Sequence, residues 1–82
     1  MKTKRIWRFD SYAGENKFFD SLRLAKKYAE RDYGYCWSWS GPWRNEGYAW
    51  TKGFGPREGC AVESASIYPE KLYIEEGGDH AD

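Results

Sequence analysis

The chain has 82 residues, 20% of them aromatic and 32% charged, with 13 Lys/Arg balanced by 13 Asp/Glu. A chain this short encloses one core and excludes a second domain, and its rings must supply the buried area that Leu, Ile and Val provide elsewhere. Zero net charge excludes the whole-molecule attraction that strongly basic nucleic-acid binders use. The distribution is still polarised, because residues 1–31 carry nine Lys/Arg against four Asp/Glu and residues 32–82 carry four against nine.

Two cysteines, Cys36 and Cys60, are too few for a disulfide scaffold and lack metal-ligand spacing, so both are expected to be reduced and to act as small apolar side chains. No segment has the apolar length of a membrane span, and MKTKRIWRFD lacks the uninterrupted apolar run of a signal peptide, which makes a cytoplasmic location the expectation.

In chain order, Lys4–Tyr12 (KRIWRFDSY) alternates with a period of two, placing Trp7 and Phe9 on one side and Arg8 and Asp10 on the other, as in a half-buried strand; Ile6 interrupts the pattern. AGENK then reads as a turn. FFDSLRLAKKYAERDYG predicts the only helix, with Asp20 or Ser21 as N-cap, Leu22, Ala25, Tyr28 and Ala29 as its inner stripe, and Gly34 in the left-handed conformation that stops it. Beyond Gly34 the period returns to two. Tyr35, Trp37 and Trp39 lead into a turn at SGPWRNEG, and Tyr48, Trp50 and Lys52 form the returning strand of a hairpin. GFGPREG predicts a second turn, CAVESASIY another strand, Pro69-Glu70 a break, and KLYIE room for one more strand.

This order predicts an α+β domain over residues 1–76, one helix on an antiparallel sheet of four or five strands, followed by a frayed acidic tail at 77–82. Alanines on the inner stripe leave space for large rings beneath the helix. Trp37, Trp39 and Trp50 have the spacing of one sheet face, and at least two of them are expected in the core. The opposite face would carry the small residues Cys36, Ser38, Ser40, Ala49 and Thr51, open to dimerisation or to cover by the last strand.

Catalytic chemistry finds little footing. The lone histidine, His80, lies in the tail, neither cysteine has an adjacent base, no carboxylate spacing singles out an acid/base pair, and Gly53, Gly55 and Gly59 lack the lysine and Ser/Thr of a phosphate loop. Neither a cofactor nor a metal is expected. A partner-binding surface is expected at the hairpin tip and neighbouring loop, from Trp43, Arg44, Phe54 and Arg57, whose composition matches interaction hot spots. The row Arg23, Lys27 and Arg31 on the outer helix face would extend it, although a solvated helix face gives the same pattern. A Trp–Arg stack bracing its own loop is the bland alternative.

The element order, with SLRLAKKYA between a first strand and a hairpin, resembles the layout of small accessory proteins of bacteriophages, anti-CRISPR proteins among them, over roughly Ile6 to Ile67. The resemblance implies a phage or mobile-element antagonist in a bacterial cytoplasm that occludes a site on a larger host protein or ribonucleoprotein complex. It carries over no functional residues. The alternative is a single-stranded nucleic-acid-binding domain, with sheet aromatics stacking bases and the helix row meeting phosphates; recognition of a sugar would require two exposed, coplanar rings.

Overall fold

The computed structural model describes residues 2–11, 14–34, 37–60 and 63–75. Tyr35, Cys36, Ala61, Val62, the expected tail and His80 lie outside them. Six strands and one helix follow in the order β1 (Lys2–Asp10), β2 (Asn16–Phe19), α1 (Leu22–Gly34), β3 (Trp39–Ser40), β4 (Arg44–Asn45), β5 (Trp50–Gly55) and β6 (Glu63–Ile74). All strand pairs are antiparallel, in the sheet order β2-β1-β6-β5-β3, with β4 joined to β5 beside β3. The α+β class and the helix-on-sheet layer agree with the sequence reading, whereas the six described strands, two of them before the helix, differ from the expected four or five and from their order.

β2 is the first departure. Of the expected turn at AGENK, Gly14 at φ +88° and Glu15, whose carbonyl accepts from the Ser11 amide at 2.8 Å, turn the chain, whereas Asn16 and Lys17 already belong to β2 and Ala13 lies outside the described residues. NKFF then pairs back on β1, with Phe19 opposite Trp7 and Phe18 opposite Arg8, before the helix begins. Four residues are too short a run to display a period, so the doublet reads as a helix lead-in until its partner strand is known.

The helix starts where Ser21 caps it. The Leu24 amide donates to Ser21 Oγ at 3.1 Å, which settles the choice between Asp20 and Ser21. Its fully buried residues are Ala25, Ala29 and Tyr33, with Leu22 and Tyr28 packed at the margin; Tyr33 was absent from the expected stripe although it lies one turn beyond Ala29. Gly34 does not take the left-handed conformation. Among the described residues only Gly14, Gly47 and Gly59 have positive φ, and the Gly34 carbonyl instead accepts from the Trp37 amide at 3.4 Å.

Beneath the alanines lie Phe9, Ala65, Ile67 and Phe54, none more than 1% exposed. The register explains the set: Phe9 faces Ile67 across β1 and β6, Ile67 faces Trp50, and Phe54 follows Trp50 by four residues on the same side of β5. Rings pack edge-on around Phe9, with Tyr28 and Tyr33 at 5.9 and 5.8 Å, while Tyr33 stacks on Phe54 at 5.4 Å. Tryptophans form the margin of this core. Trp37 and Trp50 are half-buried against it, and Trp39, opposite Gly55, turns to the other face because Ser40 is the residue opposite Phe54. The expected single face of three tryptophans is therefore split, and Ser40 moves to the helix side.

Two further expectations change. β6 runs unbroken through Pro69, since β5 pairs with β6 only as far as Ile67 and an amide on that side of residue 69 has no ladder bond to lose. The expected turn SGPWRNEG contributes β4, and between β3 and β4 the Gly41 amide donates to the Gly53 carbonyl at 2.9 Å. No helix among the described residues is long and apolar enough to cross a membrane.

The core assignment predicts a contrast in urea unfolding. Phe9→Ala should lose about 3–5 kcal/mol, and Ala29→Leu, which enlarges a side chain with no free space above Ile67, about 1–3 kcal/mol.

Candidate functional site

Alternation along the strands gives the sheet two faces, and α1 covers one of them. On the other, no described element lies over the strands. At one end of that bare face is an apolar recess of about 460 Å³, lined by Lys4 and Ile6 of β1, Phe18 and Phe19 of β2, Asp20 and Leu72 of β6. Phe18 is 57% exposed and Leu72 46%, values at odds with side chains that alternate out of a strand beside other apolar groups unless something covers them.

The middle of the face is polar and tied down. Arg8 donates from Nε to Glu70 at 2.8 Å and from an amino nitrogen to Asp10 at 2.7 Å, and its guanidinium lies 4.5 Å from the centre of the Tyr68 ring. The bond to Glu70, opposed in part by burial and aided by Asp10, raises the Arg8 pKa above its ordinary value, in keeping with a guanidinium that stays charged. Tyr48, 68% exposed, adds a second ring 6.4 Å from Tyr68.

At the far end is a mixed cleft of about 380 Å³, where Trp39, Pro42, Arg44, Thr51 and Glu58 surround a floor of glycines. Gly41 is required there: a Cβ on it would lie 2.9 Å from Trp39 Cη2, so the indole rests directly on the backbone. The face thus presents Phe, Leu, Ile, Tyr, Trp and Arg side chains in one layer, of which the aromatic residues and arginine are the types enriched where proteins meet.

The seven residues expected to bind a partner do not come together. Phe54 is 1% exposed in the core, because its register with Glu63 and Ser40 turns it under the helix, and it is corrected from surface to structural. Trp43 is half-buried on the helix side, its Nε1 donating to Glu30 at 2.7 Å with Lys26 and Lys52 near its ring at 6.0 and 5.8 Å. The bracing foreseen for an arginine is thus done by two lysines and a glutamate. Arg57 sits in the β5–β6 turn, with Nε 3.3 Å from the exposed Cys60 Sγ. Arg23, Lys27 and Arg31 are exposed along the outer helix, and Arg44 alone reaches the bare face. What sequence reasoning missed, Phe18, Ile6 and Leu72, left two traces: Ile6 interrupting its strand's alternation and the Phe18-Phe19 doublet.

Among the described residues no group of three His, Cys, Asp or Glu side chains is placed to hold a metal. The bracing of Trp43 predicts that Trp43→Phe, which keeps a ring and removes the N–H, costs about 0.5–1.5 kcal/mol in urea unfolding. Arg44→Ala should change stability by less than about 0.5 kcal/mol.

The chain matches no protein-family model, no curated protein and no solved structure.

Proposed function

We propose that this chain is a small, non-catalytic protein-binding module that docks through the bare face of its sheet. The observation that carries the reading is the pair Phe18 and Leu72, about half exposed beside Ile6 on a sheet whose other face carries the main buried cluster. An apolar recess, a fixed arginine and a tryptophan-lined cleft lie along one surface, so a partner can seat anchors at both ends and meet directed hydrogen bonds between them. The role consistent with this size and layout is that of an antagonist, of phage or mobile-element origin, which occludes a site on a larger host complex that handles nucleic acid. One face of so small a domain is enough for an interface of standard size.

Direct binding of single-stranded nucleic acid draws less support. Base stacking needs displayed rings, and Trp37, Trp43 and Trp50 pack against the helix-side core. The cations of the outer helix are separated from the bare face by the sheet itself.

The reading predicts a separation between stability and binding. Phe18→Ser with Leu72→Ser should leave the unfolding midpoint within the range of surface substitutions, about 0.5 kcal/mol each, and abolish co-purification with the partner from a bacterial lysate, identified by mass spectrometry. Arg23→Glu with Lys27→Glu should leave that co-purification intact. Loss with the helix pair but not with the sheet pair would contradict the assignment of the face.

A further inference from the structure

Beside β1 a strand position is unfilled among the described residues. β2 pairs with β1 only from Trp7 to Asp10, after which the chain leaves at Asp20 for the helix, and no described strand lies alongside Lys2–Ile6 on that side. Their outward main-chain groups form an open ladder edge, and the apolar recess of Ile6, Phe18 and Leu72 sits where β2 ends and the vacant position begins.

The other edges of the sheet are short or interrupted, and the outer edge of β2 is only four residues long. Across the sheet, β3 and β4 are two residues each and interrupted by Gly41-Pro42, and the free side of β6 carries Pro69. Such devices prevent strand pairing. Along Lys2–Ile6 the only device is charge: Lys2, Lys4 and Arg5 are exposed and make no ion pair among the described residues, whose pairs use Arg8, Lys17 and Lys52.

Charge also selects the occupant. A second copy would bring two Lys2–Arg5 runs of like charge side by side, which repels. The ribbon moreover opposes Arg5 directly to Lys71, a like-charged pair across the ladder that costs stability in the isolated chain and is relieved by a neighbouring anion.

We infer that the vacant position beside Lys2–Ile6 accepts an extended, acidic segment of the protein partner, added to β1 as a further strand. Its carboxylates on one face meet Lys2 and Lys4, and further along that same face an apolar side chain enters the recess beside Ile6 and Phe18, while a carboxylate on its other face meets Arg5. The inference deepens the proposed docking face and rests on it, by naming the chemistry and backbone form of what docks.

The test uses the intact chain and fluorescence anisotropy with three fluorescein-labelled peptides: an extended one with glutamates on both faces and leucines at both ends, the same peptide N-methylated at every amide, and a copy with lysine for glutamate. The first should bind, and the other two should bind at least about tenfold more weakly, since ladder bonds and charge are removed in turn. Lys4→Glu with Arg5→Glu should lose the first peptide while melting no lower than the parent, because Arg5→Glu places an anion opposite Lys71. Equal affinity for the plain and N-methylated peptides, with loss on Phe18→Ser, would overturn strand addition and leave the docking face standing; failure of the first peptide to bind would overturn the inference outright. A concentration-dependent dimer in sedimentation that Phe18→Ser abolishes would assign the position to a second copy and overturn it as well.

Discussion

Contact between Ala25 and Ala29 of the helix and the Phe9–Ile67 pair of the central strands is the constraint from which the rest of the structure follows. Methyl side chains let the helix sit low on the sheet, so that Phe9, Ile67 and Phe54 are sealed by backbone and by the rings of Tyr28 and Tyr33 rather than by long aliphatic side chains. One helix of 13 residues is about 20 Å long and spans only one side of a sheet. With that helix committed, the second face has no described cover, and any apolar residue alternating onto it is left to solvent or to a partner.

Aromatic side chains do two different jobs as a result. Those on the helix side close the margins of a small core: Trp50 lies under Lys26 at 3.9 Å, and Trp43 is held by Glu30, tying the β3–β4 segment to the helix. Those on the bare side, Phe18, Tyr68, Tyr48 and Trp39, contribute little to that core. Between them lies Arg8, whose two carboxylates and contact with the Tyr68 ring fix its direction. Fixing a long side chain before a partner arrives lowers the ordering cost of association.

The helix, the first strand and the α+β class were legible because each rests on local signals: a cap, an alanine stripe, a run of alternating residues. Long-range pairing decided the rest. Trp39 left the core because strand parity counts from the residue opposite Phe54, and no local pattern shows that residue to be Ser40. Pro69 looked like a break because its harmlessness depends on β5 ending its pairing at Ile67, some 17 residues away from Trp50 in sequence. The same reason hid the candidate site. Trp43, Arg44, Phe54 and Arg57 have the composition of an interface, but Phe18, Ile6 and Leu72 come together only when β2, β1 and β6 are placed side by side.

Nuclear Overhauser contacts from the Ala25 and Ala29 methyl groups test the central claim most directly, read together with line broadening by a soluble paramagnetic agent. The account predicts contacts from both methyls to the Phe9 ring and Ile67, with strong broadening at Phe18 and Leu72 and none at Ile67. Methyl contacts to Ile6, Phe18 or Leu72, with Phe9 broadened instead, would place the helix on the opposite face and contradict it.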